Sequence, residues 1–209
     1  MTQSVLIADD HPLFRQALRL AVQHVLPDAI IVEAGTLDSA AAAAATADAL
    51  KLILLDLKMP GAIGYSGIAL LHAERPEVPI LVVSSSDPDA AVQARAFGAV
   101  GYLHKGSDLA AIEAAIAAAL DSPPPPPSGQ MREQPADQVR ATVASFTPMQ
   151  LKVLLAVLDG QLNKQIAHRL AISEATVKVH MTAIMRKLDV RTRTQAALVA
   201  RSLGIDLRG

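Results

Sequence analysis

The chain of 209 residues contains no cysteine and no tryptophan. Without thiols it can form no disulfide, no thiolate metal site and no cysteine nucleophile, and it suits a reducing compartment, so a cytoplasmic location is expected. Long hydrophobic runs are missing too. Hydrophobic residues make up 51% of the chain and the mean hydropathy is +0.32. Much of this is alanine, and no apolar run approaches the ~18 residues that a membrane helix needs. No membrane partner is expected. The acidic pair Asp9-Asp10 arrives before a secretory signal could complete its apolar region, so no export by a standard signal is expected.

A large net charge is also absent, the formal value being −1, but the balance hides an asymmetry. Residues 1–122 carry 7 Lys and Arg against 14 Asp and Glu, whereas residues 146–209 carry 10 against 4. The basic end suits nucleic acid, and the acidic part suits cations or a regulatory role. Between them, Pro123–Pro127 and the polar stretch to about Ala144 cannot build a core. The expected division is therefore a first domain over 1–121, a proline-rich linker over 122–144 and a second domain over 145–209. Five prolines at ~3.1 Å each would hold the two domains stiffly apart by roughly 15 Å.

In the first domain, short apolar runs at Val5–Ala8, Ile30–Val32, Leu52–Leu55, Ile80–Val83 and Val100–Leu103 read as buried strands. Helical patterns at Pro12–Val25, Leu37–Ala47, Ser66–Glu74, Pro88–Phe97 and Asp108–Leu120 follow them in turn. This alternation predicts an α/β fold with a five-stranded parallel sheet, doubly wound, with helices on both faces. Ligands of such sheets bind outside the carboxyl ends of the strands, where strand order reverses. The first strand runs into Asp9-Asp10 and the third into Asp56. If those strands are neighbours, three carboxylates share one cleft, and a hard divalent cation such as Mg²⁺ relieves their repulsion. The fourth strand ends in Ser84-Ser85-Ser86 and the fifth in Leu103-His104-Lys105, so a hydroxyl and an ammonium are available to an anion at Asp56. A haloacid-dehalogenase-like phosphatase would want an acid two residues after its nucleophile, and Lys58 stands there instead.

Asp9-Asp10, Asp56 with Met59-Pro60, Ser84-Ser85 and Gly101-Tyr102-Leu103-His104-Lys105 together resemble the receiver domain of two-component response regulators, across about residues 3–121. The resemblance implies that Asp56 accepts a phosphoryl group from a sensor histidine kinase, with Mg²⁺ held by Asp10, Asp56 and, through water, Asp9. Lys105 would neutralise the transferred oxygens, Ser84 would bind the new phosphate, and Tyr102 would follow as the switch residue. Beyond self-phosphorylation and slow self-dephosphorylation, no enzymatic activity is expected. Ile63 stands where many receivers place an acid.

The second domain reads as helices only, near 147–158, 163–170, 174–188 and 194–203. Thr147-Pro148-Met149-Gln150 supplies an N-cap, a proline at the first helical position and the reciprocal capping residue. Leu151, Leu154, Leu155 and Leu158 form an apolar stripe, Gly160 stops the helix, Asn163 is a candidate cap for the next and Ser173 for the third. In that third helix Val177, Met181, Ile184 and Leu188 fall on a core face, while Lys178, Thr182 and Arg186 form an exposed ridge. A short helix, a three-residue turn and a longer basic helix predict a helix-turn-helix, with an ordinary small bundle as the plainer alternative.

Phe146-Thr147-Pro148, Asn163 to Ala167, Thr176 to His180 and Lys187-Leu188 resemble the LuxR-type DNA-binding domain over about residues 145–205. The two resemblances together identify a response regulator of the NarL/FixJ class. They imply that Lys178, Val179 and Thr182 approach base edges, that Lys164, Thr176 and Lys187 lie at the DNA-binding face with the last two near phosphates, and that the final helix supports a homodimer on double-stranded DNA. Gln150 and Gln165 replace glutamates usual in the family. The expected function is a transcription regulator controlled by phosphorylation at Asp56. The alternative is control by partner binding at the receiver without phosphorylation. An acyl-homoserine-lactone receptor, which shares the second domain, is disfavoured by the first domain's β/α pattern and by only five aromatic residues.

Overall fold

The computed structural model describes residues 3–85, 90–122, 142 and 145–202. In the first domain the elements run β1 (Ser4–Ala8), α1 (Pro12–Val25), β2 (Ile30–Ala34), α2 (Leu37–Thr46), β3 (Leu50–Leu55), α3 (Ser66–Glu74), β4 (Ile80–Ser84), α4 (Ala90–Ala96), β5 (Gly101–His104) and α5 (Leu109–Asp121). The sheet is parallel, in the order β2-β1-β3-β4-β5. β1 and β3 are thus neighbours at the reversal of strand order, as the three-carboxylate cleft requires.

Alternation along the strands builds the two layers. Leu6, Ile53, Leu55, Ile80 and Val82 face one core with α2, α3 and α4, and Val5, Ile7, Leu52, Leu54, Leu81 and Val83 face the other with α1 and α5. A strand buried on both sides is apolar throughout, as Val5–Ala8, Leu52–Leu55 and Ile80–Val83 are, whereas β2 at the edge of the sheet is not buried as expected, Ile30 being 56% exposed. β2 continues two residues past the expected Val32, because its pairing with β1 extends to Ala8 opposite Ala34. Pro88 and Asp89 of the expected fourth helix lie outside the described residues, as does the linker except Ser122 and Thr142.

The second domain comprises α6 (Pro148–Leu158), α7 (Asn163–Arg169), α8 (Glu174–Lys187) and α9 (Arg193–Ser202). Its signals act as the sequence suggests at three points. Thr147 and Gln150 form a reciprocal capping box, the Ser173 side chain accepts from the Thr176 amide, and Gly160 ends α6 with φ of +79°, where a side chain would be strained. Asn163 is not a cap: it is the first residue of α7, and Leu162 precedes it as N-cap with its amide donating to Gln165 Oε1 at 2.7 Å. The Asn163 carboxamide oxygen instead accepts from Arg193 at 2.8 Å, tying α9 to the start of α7.

α6 is buried on more than the expected leucine stripe. Val153, Ala156 and Val157 are also buried, and α6 packs against α8, α9 and also α3 of the first domain. Two ion pairs cross between the domains, Lys152 to Glu74 and Arg169 to Asp38, both at 2.8 Å, so the domains are in contact and not held apart as the proline run suggested.

Candidate functional site

β1 and β3 deliver their carboxylates in register. The Asp9 amide donates to Ala34 O and the Asp56 amide to Ala8 O, so each acid leaves the sheet just past its last ladder bond. Asp9 and Asp56 are only 1% and 2% exposed, and Asp10 stands at their rim. Lys105, following β5, reaches between them: its Nζ lies 2.7 Å from Asp9 Oδ2 and 2.7 Å from Asp56 Oδ2. Burial alone would lower the pKa of this ammonium, but hydrogen bonds and charges of Asp56 and Asp9 outweigh it and hold the pKa above the ordinary lysine value. The other oxygen of Asp56 accepts from the Lys58 amide at 3.0 Å.

Of the expected site residues, Asp9, Asp10, Asp56 and Lys105 come together. Ser84 is fully buried at the end of β4, bonded through its carbonyl to the Lys105 amide. Tyr102 is half-buried on β5 opposite Val82, close enough to Tyr65 that its charge adds to the burial which raises the Tyr65 pKa. A cleft of about 550 Å³ opens over the acids, lined by His11, Leu13, Phe14, Asp56, Lys58, Ser85 and Lys105.

Three contributors were not read from the sequence. His11 Nδ1 lies 2.7 Å from Asp10 Oδ1. Arg15 donates to the Asp9 carbonyl at 2.7 Å and to Glu33, bracing the end of β1. The Phe14 ring lies 4.9 Å from the Lys105 ammonium, a cation–π cap on its exposed side. Of the serines read at the end of β4, Ser85 lines the open cleft and Ser84 is buried. For His11 the adjacency to Asp10 was a usable signal; Arg15 and Phe14 depend on where α1 lies in space.

Among the described residues, Asp9, Asp10, His11 and Asp56 form a group able to hold a metal, with one ligand atom from each lying within 4.8 Å of the others. Three carboxylates face one ammonium there, which leaves a negative excess, and oxygen donors suit a hard divalent cation. The donor set therefore fits Mg²⁺. Among the described residues no helix is long and apolar enough to cross a membrane.

The second site is the outer face of α8. Lys178, Val179 and Thr182 are exposed on one ridge, with Val179 at 67%, while Val177, Met181 and Ile184 are buried behind them. The Thr182 hydroxyl donates to the Lys178 carbonyl at 3.0 Å. Lys164 is exposed on α7, and half-exposed Thr176 has its hydroxyl 2.8 Å from that of Ser173. Lys187 is engaged within its own domain: it donates to the Ser145 carbonyl and, at 2.7 Å, to Gln150 Oε1, beside the Phe146 ring. Burial and neighbouring Arg186 push its pKa down.

The family model of the response regulator receiver domain matches residues 5–117, and that of bacterial regulatory proteins of the luxR family matches residues 144–200. The glycerol metabolism activator of Pseudomonas putida is 40% identical over 207 residues, covering 94% of each chain. The nitrate/nitrite response regulator protein NarP of Escherichia coli K12 is 36% identical over 200 residues, covering 93% of each. The RcsB response regulator of Salmonella typhimurium shares the fold at 20% identity with a TM-score of 0.51, covering 98% of this chain and 100% of that one. An acidic strand-end cleft joined to a helix-turn-helix defines a two-component response regulator whose second domain binds DNA. The chain belongs to the NarL/FixJ class of that family.

Proposed function

We propose that Asp56 takes a phosphoryl group from the phosphohistidine of a sensor kinase, and that the phosphorylated chain binds a two-fold site on double-stranded DNA as a homodimer. The observation that carries this reading is the convergence at Lys105, whose ammonium meets both buried acids at 2.7 Å. An oxygen of Asp56 bonds to phosphorus as the phosphorus–nitrogen bond to the donor imidazole breaks, and the electron pair stays on that nitrogen. Lys105 turns from the carboxylate to a phosphoryl oxygen. The Ser84 hydroxyl donates to another, and Tyr102 moves into the space this vacates. Asp9, Asp10 and Asp56 would hold Mg²⁺, which would supply positive charge against the charge on the phosphoryl oxygens. Attack by water on the phosphorus slowly reverses the modification, and a small phosphodonor can replace the kinase.

On DNA, Lys178, Val179 and Thr182 meet base edges, while Lys164, Thr176 and Lys187 lie at the DNA face, the last two near phosphates. The exposed ridge on α8 and the basic balance of residues 146–209 support this reading. The test is incubation with acetyl phosphate and Mg²⁺ followed by intact-mass measurement. The wild-type chain gains one phosphoryl group and Asp56→Asn gains none while keeping its circular dichroism. Undiminished labelling of Asp56→Asn refutes the assignment.

A further inference from the structure

α6 is apolar on two sides, and three helices cover it: α8 and α9 of its own domain and α3 of the receiver. At about 100° per residue, Leu151, Leu154, Leu155 and Leu158 share one side and Val153, Ala156 and Val157 the other, yet all seven are buried. Lys152 borders the second side, and its ammonium sits 2.8 Å from Glu74 at the end of α3, so that side is turned toward the receiver. The two side chains are 26% and 14% exposed, a largely enclosed pair in which each charge needs the other. Arg169 at the end of α7 adds a second, more open tie to Asp38 at the start of α2. The apolar cluster runs without a break from the receiver layer of Ile68 and Leu71 into that of Val153 and Ala156. Lys178, Val179 and Thr182 remain exposed in this same arrangement.

We infer that the α2–α3 face of the receiver is a seat for the DNA-binding domain of its own chain, and that the seated form is competent to bind DNA. The contact uses α6 and the end of α7, so it covers none of the three ridge side chains. It gives the recognition helix a fixed bearing on the receiver. This inference does not depend on Asp56 being the phosphoacceptor, and its test needs no phosphorylation.

The chain has no cysteine, so donor and acceptor dyes can be placed cleanly on exposed positions of the two domains, at Lys51→Cys and Leu162→Cys. Energy transfer in the full chain is expected to fall with Lys152→Glu and with Glu74→Lys, and to return in the double exchange. Because the two single changes alter net charge in opposite directions, a shared effect reports the contact rather than overall charge. A random-sequence duplex at low salt, where phosphate contacts dominate binding, should leave wild-type transfer unchanged, and unseating should tighten DNA binding by no more than about twofold. Transfer insensitive to both reversals, or not restored in the exchange, overturns the seat. Three further outcomes each overturn DNA competence: failure of the wild type to bind the duplex, loss of transfer on DNA, or tightening beyond about twofold on unseating.

Discussion

Replacing Lys105 with methionine isolates the charge at the centre of the cleft. Methionine keeps most of the buried stem's volume, so packing is largely preserved, while Asp9 and Asp56 lose the cation that meets both at 2.7 Å. The Lys105 side chain is 14% exposed and its partners 1% and 2%, so little solvent screens the loss. Removing one partner from a buried ion pair costs about 3–5 kcal/mol, and the lost cation–π contact with Phe14 adds about 0.5–1 kcal/mol. Urea unfolding at neutral pH without Mg²⁺ should therefore place Lys105→Met several kcal/mol below wild type. The gap should narrow at high pH. At the alkaline end, the raised pKa of Lys105 means that its contribution is fully present below the ordinary value of 10.5 and is lost as pH climbs through the higher folded value. Added Mg²⁺ should stabilise the variant more than the wild type, because the ion replaces the missing cation. Equal stability at neutral pH in Mg²⁺-free buffer would refute the charge argument.

Asp10→Asn should act in the opposite direction without metal, raising the thermal midpoint by lowering the negative excess, while weakening Mg²⁺ binding by calorimetric titration far more than Asp28→Ala, which changes an exposed residue. Gln150→Glu should stabilise the second domain by about 0.3–1 kcal/mol, seen in its melting temperature, by placing an anion in the first turn of α6 against Lys187. Lys178→Ala should cost roughly 1–3 kcal/mol on a selected DNA site and much less on random duplex, so equal losses on both would remove it from base readout. Lys187→Ala should lower the salt slope of DNA binding by about one unit if its ammonium reaches phosphate; a lower melting temperature with an unchanged slope would confine it to bracing Ser145 and Gln150.

The receiver layer was legible because burial on both sides forces unbroken apolar strands, and because an acid at the end of such a strand has only the sheet's edge to occupy. Asp9, Asp56 and Lys105 followed from that rule alone. The helix-turn-helix was legible from Thr147, Gly160 and Ser173, whose conformational preferences act locally. Residues whose roles depend on distant partners were not. Phe14 reads as an ordinary apolar helix residue until β5 brings Lys105 over its ring, and Asn163 reads as a cap until Arg193 claims its oxygen. The run Leu151 to Leu158 did carry a signal that the leucine stripe obscured. A helix apolar on two opposite sides needs cover on both, and here α3 of the receiver supplies part of it beside α8 and α9.

The contact between α3 and α6 also bears on how far this protein can be taken apart and rebuilt. A receiver and a DNA-binding domain joined by a proline-rich segment invite exchange, as though any sensor half could drive any output half. Here Asp38 and Glu74 belong to one half and Arg169 and Lys152 to the other. A foreign receiver grafted onto residues 145–209 would leave Val153 and Ala156 facing water and Lys152 without its acid, so the chimera should be prone to self-association. To remain a monomer in solution, such a hybrid would need acids of the same reach at the positions of Asp38 and Glu74, together with an apolar α3 to receive the helix.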